Sequence, residues 1–196
     1  TRHRPCKVLS TPSSADVGRR SENSRHTRSL TLGLETIAIL SPGDMGHAVG
    51  RVLAERGFRV VAALSERSAQ TRARAGSAGI EDLETLRPTL ECADLVLSIL
   101  PPAVALEMAS AAAPFLAGSP RNPVYVDCNA ISPRTAERIA AVITSTGAGF
   151  VDVGIIGAAP GRGPDTRLYA SGKVAPLLSE LEGPGLAVRV IGAEIG

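Results

Sequence analysis

Residues 36–46 read Thr36-Ile37-Ala38-Ile39-Leu40-Ser41-Pro42-Gly43-Asp44-Met45-Gly46. Thr36 to Leu40 is a short apolar run bounded by turn residues, which predicts a buried strand. From Asp44 to Arg56 the apolar positions are Met45, Ala48, Val49, Val52 and Leu53. That i, i+3, i+4, i+7, i+8 spacing predicts a helix with one apolar face, ended by Gly57. The turn between them has the spacing GxGxxG with Ser41 in place of the first Gly. Gly43 would let a diphosphate approach the backbone, and Gly46 would let the helix close on the strand. The first N–H groups of the helix would face the negative charge. A position after a strand and before an amphipathic helix favours nucleotide binding over a merely structural turn, with Ser41, Pro42, Gly43, Asp44, Met45 and Gly46 as the contacts.

Working outward, the pattern repeats. Strands are expected at Phe58–Leu64, Ala93–Leu100, Val124–Cys128 and Phe150–Val153, and helices at Ser68–Ala75, Val104–Leu116 and Pro133–Ser145. Glu81–Arg87 is expected to be helical up to Pro88. Alternation at this spacing implies an α/β fold, a doubly wound parallel sheet with right-handed crossovers of the Rossmann type, over residues 35–196. Beyond Gly154 the chain is loop-rich, with two edge strands at Arg167–Ala170 and Ala187–Ile191 flanking a short helix near Ala175–Leu181.

Residues 1–34 differ in kind. Seven Arg/Lys against two acids give them +5, while the remainder carries 14 basic and 17 acidic side chains, or −3, for the overall +2. The stretch is rich in Arg, Ser and Thr and lacks apolar periodicity, so it reads as a disordered basic tail. An organellar transit peptide, although no amphipathic face stands out, and translated sequence upstream of the true start are the alternatives. Because the positive charge is confined there and only five aromatic residues occur, no nucleic-acid partner is expected. No apolar run is long enough to span a membrane, and a cytoplasmic protein is the default. The three cysteines, Cys6, Cys92 and Cys128, form no CxxC pair, so neither a disulfide framework nor a metal site is expected. Cys92 and Cys128 read as buried thiols.

The ribose selector should stand at the end of the second strand, about 20 residues past the glycines. The chain there reads Leu64-Ser65-Glu66-Arg67-Ser68. No acid stands directly at the strand end to accept from a 2′-hydroxyl, and Ser65, Arg67 and Ser68 supply donors and positive charge. That composition favours NADP; Glu66 keeps NAD open, and a solvated loop is the plain alternative.

Four segments in order resemble the β-hydroxyacid dehydrogenase family, which includes 3-hydroxyisobutyrate and 6-phosphogluconate dehydrogenases. They are Ile37 to Gly46; Ser98-Ile99-Leu100-Pro101-Pro102; Asp127-Cys128-Asn129-Ala130-Ile131-Ser132-Pro133; and Phe150-Val151-Asp152 followed by Gly157. The likeness covers about residues 36 to 196. It implies that Ser98, Ile99, Leu100 and Pro101 lie along the nicotinamide half of the cofactor. It also implies that Asn129 borders the ribose or the substrate carboxylate, and that Gly157 contributes to the substrate site. A purely structural Asn129, bonding its own turn, is the alternative. The implied reaction is hydride transfer between a nicotinamide and a small hydroxy acid or aldehyde acid, in a protein that is a homodimer when full length.

Two departures qualify the resemblance. Ile156 stands where the family presents a Ser that helps hold the substrate carboxylate. The family's second, all-helical domain, with its catalytic Lys, is expected beyond Gly196, so the chain reads as a fragment or a truncated product. Lys7 and Lys173 are the only lysines, Lys173 reads as a solvated charge, and His47 is the sole histidine after the tail. His47 sits beside the phosphate turn, where a solvent-facing or cofactor-edge place is expected rather than proton transfer. No catalytic residue is assigned. An inert cofactor-binding module and an imine reductase on the same fold are the competing readings.

Overall fold

Β-branched and aliphatic runs one after another, with no polar break, are what a strand buried on both faces requires. Four such runs form the centre of the sheet: β1 (Thr36–Ile39), β4 (Leu95–Ser98), β5 (Val124–Asp127) and the first half of β6 (Gly149–Ile156), with β2 (Arg59–Ala62) and the two-residue β3 (Glu81–Asp82) to one side. The computed structural model describes residues 33–196, so the reading of residues 1–32 lies outside the described residues. Leu34 is already buried, and its N–H donates to Glu180 Oε2 at 3.0 Å. The sheet order is β3-β2-β1-β4-β5-β6-β7-β8, where β7 is Thr166–Ser171 and β8 is Leu186–Gly192. Pairing is parallel from β3 to β6, antiparallel between β6 and β7, and parallel again between β7 and β8.

Alternation along the strands sends side chains to two cores. Ile37, Ile39, Leu95, Leu97, Val124 and Val126 pack on one face with α1 (Asp44–Glu55), α2 (Ala69–Ser77) and the 3-10 turns Ala175–Leu181. Ala38, Val96, Tyr125 and Phe150 pack on the other with α3 (Leu86–Glu91), α4 (Ala105–Leu116) and α5 (Pro133–Thr144). The fold is thus an α/β doubly wound sheet of the Rossmann kind. None of the described helices is long and apolar enough to cross a membrane.

Three expectations are corrected. Glu81–Arg87 is not a helix: Glu81 and Asp82 pair with Val61 and Ala62, and α3 starts at Leu86 and runs through Pro88. Proline in the first turn of a helix forfeits no hydrogen bond, because that N–H has no intrahelical partner, so Pro88 opens the helix instead of ending one. Second, Arg167–Ala170 is no edge strand; β7 lies between β6 and β8. Third, β6 continues to Ile156 because its second half pairs with β7, from Asp152↔Ser171 to Ile156↔Arg167. The sheet is therefore not parallel throughout.

Candidate functional site

Strand order reverses at β1, with β2 on one side and β4 on the other. In open α/β sheets the ligand crevice lies outside the carboxyl ends of the strands at such a switch point. Its walls here are the turn 41–43 after β1 and the segment 99–101 after β4.

Backbone builds the β1 wall. Gly43 N–H donates to the Ser41 carbonyl at 2.8 Å, and His47 Nδ1 lies 2.7 Å from the Gly43 carbonyl oxygen. A carbonyl only accepts, so the His47 ring carries its proton on Nδ1 and braces the turn. Gly43 is the N-cap of α1 and offers no side chain to the first-turn amides. Those N–H groups keep their partial positive charge for an anion. Nothing lies within 4 Å of where a Cβ on Gly43 would stand, whereas a Cβ on Gly46 would run into the Ser41 carbonyl. Gly50, which the sequence reading did not single out, has the same packing duty: its Cβ would come within 2.7 Å of Ile80 and 2.8 Å of Ile39. Pro42 is buried, and Met45 packs against the core. Asp44 is exposed and receives a two-pronged ion pair from Arg162, with Nη1–Oδ2 2.7 Å and Nη2–Oδ1 2.8 Å. The Arg162 guanidinium holds the Asp44 carboxyl below its ordinary range.

Around the end of β2, Ser65 and Glu66 are exposed and Arg67 is half-buried. Arg67 Nη2 donates to the Leu40 carbonyl at 3.3 Å, which lays the guanidinium across the carboxyl end of β1. Ser68 is partly committed elsewhere, since its Oγ accepts from Thr71 N–H as the N-cap of α2.

Side chains build the β4 wall. Asn129 is buried, and its amide group makes three hydrogen bonds. Nδ2 donates to Ser98 Oγ at 3.1 Å and to Asp127 Oδ2 at 3.0 Å, while Oδ1 accepts from Leu100 N–H at 2.5 Å. Asp127 Oδ1 also accepts from Asn129 N–H at 3.0 Å. Ser98 and Asp127 are register partners at the carboxyl ends of β4 and β5, and Asp127 is paired in turn with Asp152 on β6. Burial pushes the Asp127 carboxyl up to about 6; its bonds to Asn129 oppose that shift and the Asp152 charge adds to it. Burial also raises the Asp152 carboxyl, against the pull of the Gly196 and Val153 N–H groups. The Cys128 thiol is raised by burial and by both carboxylates, and Cys92 is buried as well.

Gly157 stands exposed beyond the end of β6, in the left-handed region at φ +116°, with Ile156 half exposed beside it. Lys173 is exposed after β7, next to Val174, whose side chain lies near Gly149 at the start of β6. It is therefore near the amino ends of the parallel strands, opposite the carboxyl ends where the crevice lies. A groove of about 630 Å³ lined by Asp152, Tyr169, Ser171 and Gly196 lies over β6–β8, beginning at the register partner of Asp127. Among the described residues no three His, Cys, Asp or Glu stand together as metal ligands.

Residues 36–175 match the family model described as the NAD binding domain of 6-phosphogluconate dehydrogenase. The chain belongs to that family. As a member of it, the chain carries an NAD-binding domain of the dehydrogenase type. It is 27% identical over 160 residues to an uncharacterised 28.5 kDa protein of Methanothermus fervidus, covering 82% of this chain and 59% of that protein. It is 29% identical, with a TM-score of 0.67, to a conserved protein of unknown function whose structure was described as similar to 3-hydroxyacid dehydrogenases, over 81% of this chain and 58% of the other. A conserved hypothetical protein of Sinorhizobium meliloti 1021 is 26% identical with a TM-score of 0.71, over 82% and 55%. The chain spans less than three fifths of the length of each of these relatives.

Proposed function

We propose that the chain is the cofactor half of an NADP-dependent oxidoreductase of β-hydroxyacid dehydrogenase type, acting on a small hydroxy acid or aldehyde acid. The observation that carries the reading is the uncapped start of α1 beside Gly43, whose Cβ side is empty while that of Gly46 is filled by backbone. This arrangement fits a dinucleotide diphosphate. When bound, the nicotinamide would supply or accept the hydride. Gly43 to Gly46 would hold the diphosphate, Arg67 and Ser65 a 2′-phosphate, and Ile99 to Pro101 the nicotinamide side. Gly157 would line the substrate end, and the whole protein would work as a homodimer.

The experiment is a titration followed by nicotinamide fluorescence. Tighter binding of NADPH than of NADH is expected, and Arg67→Ala should weaken NADPH by about 1 to 3 kcal/mol, the scale of a charge-assisted hydrogen bond. The opposite preference, or an unchanged mutant, removes the NADP assignment. One observation favours a second reading, a cofactor-binding module without chemistry of its own: Lys173 stands near the amino ends of the strands, the wrong end of the sheet to serve the crevice as acid or base. Turnover of any hydroxy acid by this chain would dispose of that reading.

A further inference from the structure

The two walls of the crevice can be tested separately because they are built differently. A dinucleotide lying across a switch point places one nucleoside over β2 and the other over the β4 side. What faces the second nucleoside is the segment 99–101, half-buried at Ile99 and Leu100 and exposed at Pro101. No regular structure holds that segment; it follows the last residue of β4 and precedes the 3-10 turn Pro102–Val104. Leu100 N–H on Asn129 Oδ1 ties it to the neighbouring strand ending, one step past the bond from Cys128 N–H to the Ser98 carbonyl at 2.9 Å.

We infer that Asn129 is a positioning residue, which with Ser98 and Asp127 pins the Leu100 peptide and so sets the wall that receives the far half of the dinucleotide. The inference rests on the proposed dinucleotide reading and refines it: Asn129 serves the site from behind, with its donors spent on Ser98 and Asp127 and its acceptor on Leu100. Both Ser98 and Asp127 are fully buried, so neither can reach a ligand. A carboxamide alone suits this junction. It must donate twice, to a hydroxyl and a carboxylate, and accept once from a peptide N–H. The two long-range bonds of the network, Asn129 Nδ2 to Ser98 Oγ and Leu100 N–H to Asn129 Oδ1, both run to the end of β4 and the segment that follows it.

The test compares the reduced dinucleotide that the wild-type chain binds with its matching fragment, adenosine 2′,5′-bisphosphate or AMP, which reaches only the β2 side. Asn129→Ala should lower dinucleotide affinity about ten-fold, the scale of a lost buried hydrogen bond, and leave the fragment within about two-fold. Ser98→Ala, a milder change that keeps the chain folded should Asn129→Ala not, should show the same split to a lesser degree. Hydrogen exchange at residues 99–101 should quicken in both variants without ligand. Equal weakening of dinucleotide and fragment overturns the inference, since the network would then act on the whole fold. A split in Asn129→Ala with none in Ser98→Ala also overturns it, because Asn129 would then touch the ligand. Wild-type chain that binds neither ligand removes the proposed function and this inference together; binding without the split removes the inference alone.

Discussion

The turn after β1 and the segment after β4 face each other across one crevice, yet they reach their shapes by opposite means. The first is made of missing side chains: Gly43 leaves space, Gly46 lets α1 sit on the Ser41 carbonyl, and the amides of α1 go uncapped. The second is made of side chains turned inward, with Asn129 spanning Ser98, Asp127 and Leu100. A backbone wall is fixed by residue type within a few positions of sequence. A side-chain wall needs two strands in register before it exists, here Ser98 opposite Asp127.

The sharpest way to break this contrast is within the first wall. Gly46→Ala drives a Cβ into a backbone carbonyl that cannot step aside, and about 3 kcal/mol of stability should be lost, the upper part of the overpacking range. Gly43→Ala meets no atom within 4 Å, so its unfolding midpoint should stay near that of the wild type. Dinucleotide affinity should nevertheless fall in Gly43→Ala, because the methyl group occupies the side open to a diphosphate. Urea unfolding and cofactor titration of both variants separate the two glycines. Equal stabilities would show that the turn yields where the structure says it cannot.

That division also accounts for what could be read from the sequence. Periodicity and local punctuation placed β1, α1, β2, β5 and α5 within two or three residues at each end, through Gly57 after α1 and Ser132-Pro133 before α5. The glycine turn was equally legible as geometry, since Gly43 faces open space and Gly46 packs on the Ser41 carbonyl. Missed features depend on partners distant in the chain. The second half of β6 looks like loop until β7 pairs with it, and Glu81 joins the sheet only because β2 offers an edge. Arg162 meets Asp44 across 118 positions. Asn129 was expected at the ligand or bonded within its own turn; it bonds Asp127 two residues back, and also Leu100 and Ser98, which lie 29 and 31 residues away. A polar triplet at strand ends, Ser98, Asp127 and Asn129, was visible, but its direction was not.

The second wall carries a charge signature that the first lacks. Asp127 has its folded pKa raised to about 6 from an ordinary 3.8, so the folded state binds its proton more tightly than the unfolded chain does. Stability from this group is therefore full below about pH 4, declines as pH rises to about 6, and is level above that. A decline of about 1 to 2 kcal/mol across that window is expected, less than the full conversion of the shift because the hydrogen bonds from Asn129 favour the charged carboxylate. Asp127→Asn should flatten the slope between pH 4 and 6, leaving the contribution of Asp152, which titrates in the same direction. Since the variant also loses one hydrogen bond to Asn129, the slope and not the absolute stability is the readout. An unchanged slope in denaturant midpoints measured every half pH unit would mean that Asp127 is wetter than its burial implies.

The smallest effect expected on stability belongs to Arg162, which reaches the first wall from the loop before β7. Its pair with Asp44 is two-pronged, but both side chains are 59% exposed, and pairs of that kind add little to stability because water and salt screen them. Arg162→Ala should leave the unfolding midpoint unchanged within error. Asp44 is another matter. Without the guanidinium its carboxyl returns toward the ordinary range, and an uncompensated negative charge then stands on the first turn of α1, where the diphosphate would bind. Dinucleotide affinity should fall by about two- to five-fold at low salt, on the scale of one screened charge near a helix end, and the loss should shrink as salt is raised. Asp44→Asn on the same background should restore affinity, because it removes the charge that Arg162 neutralises. If the double variant binds no better than Arg162→Ala, Arg162 acts on the ligand itself, and the β1 wall is not made of backbone alone.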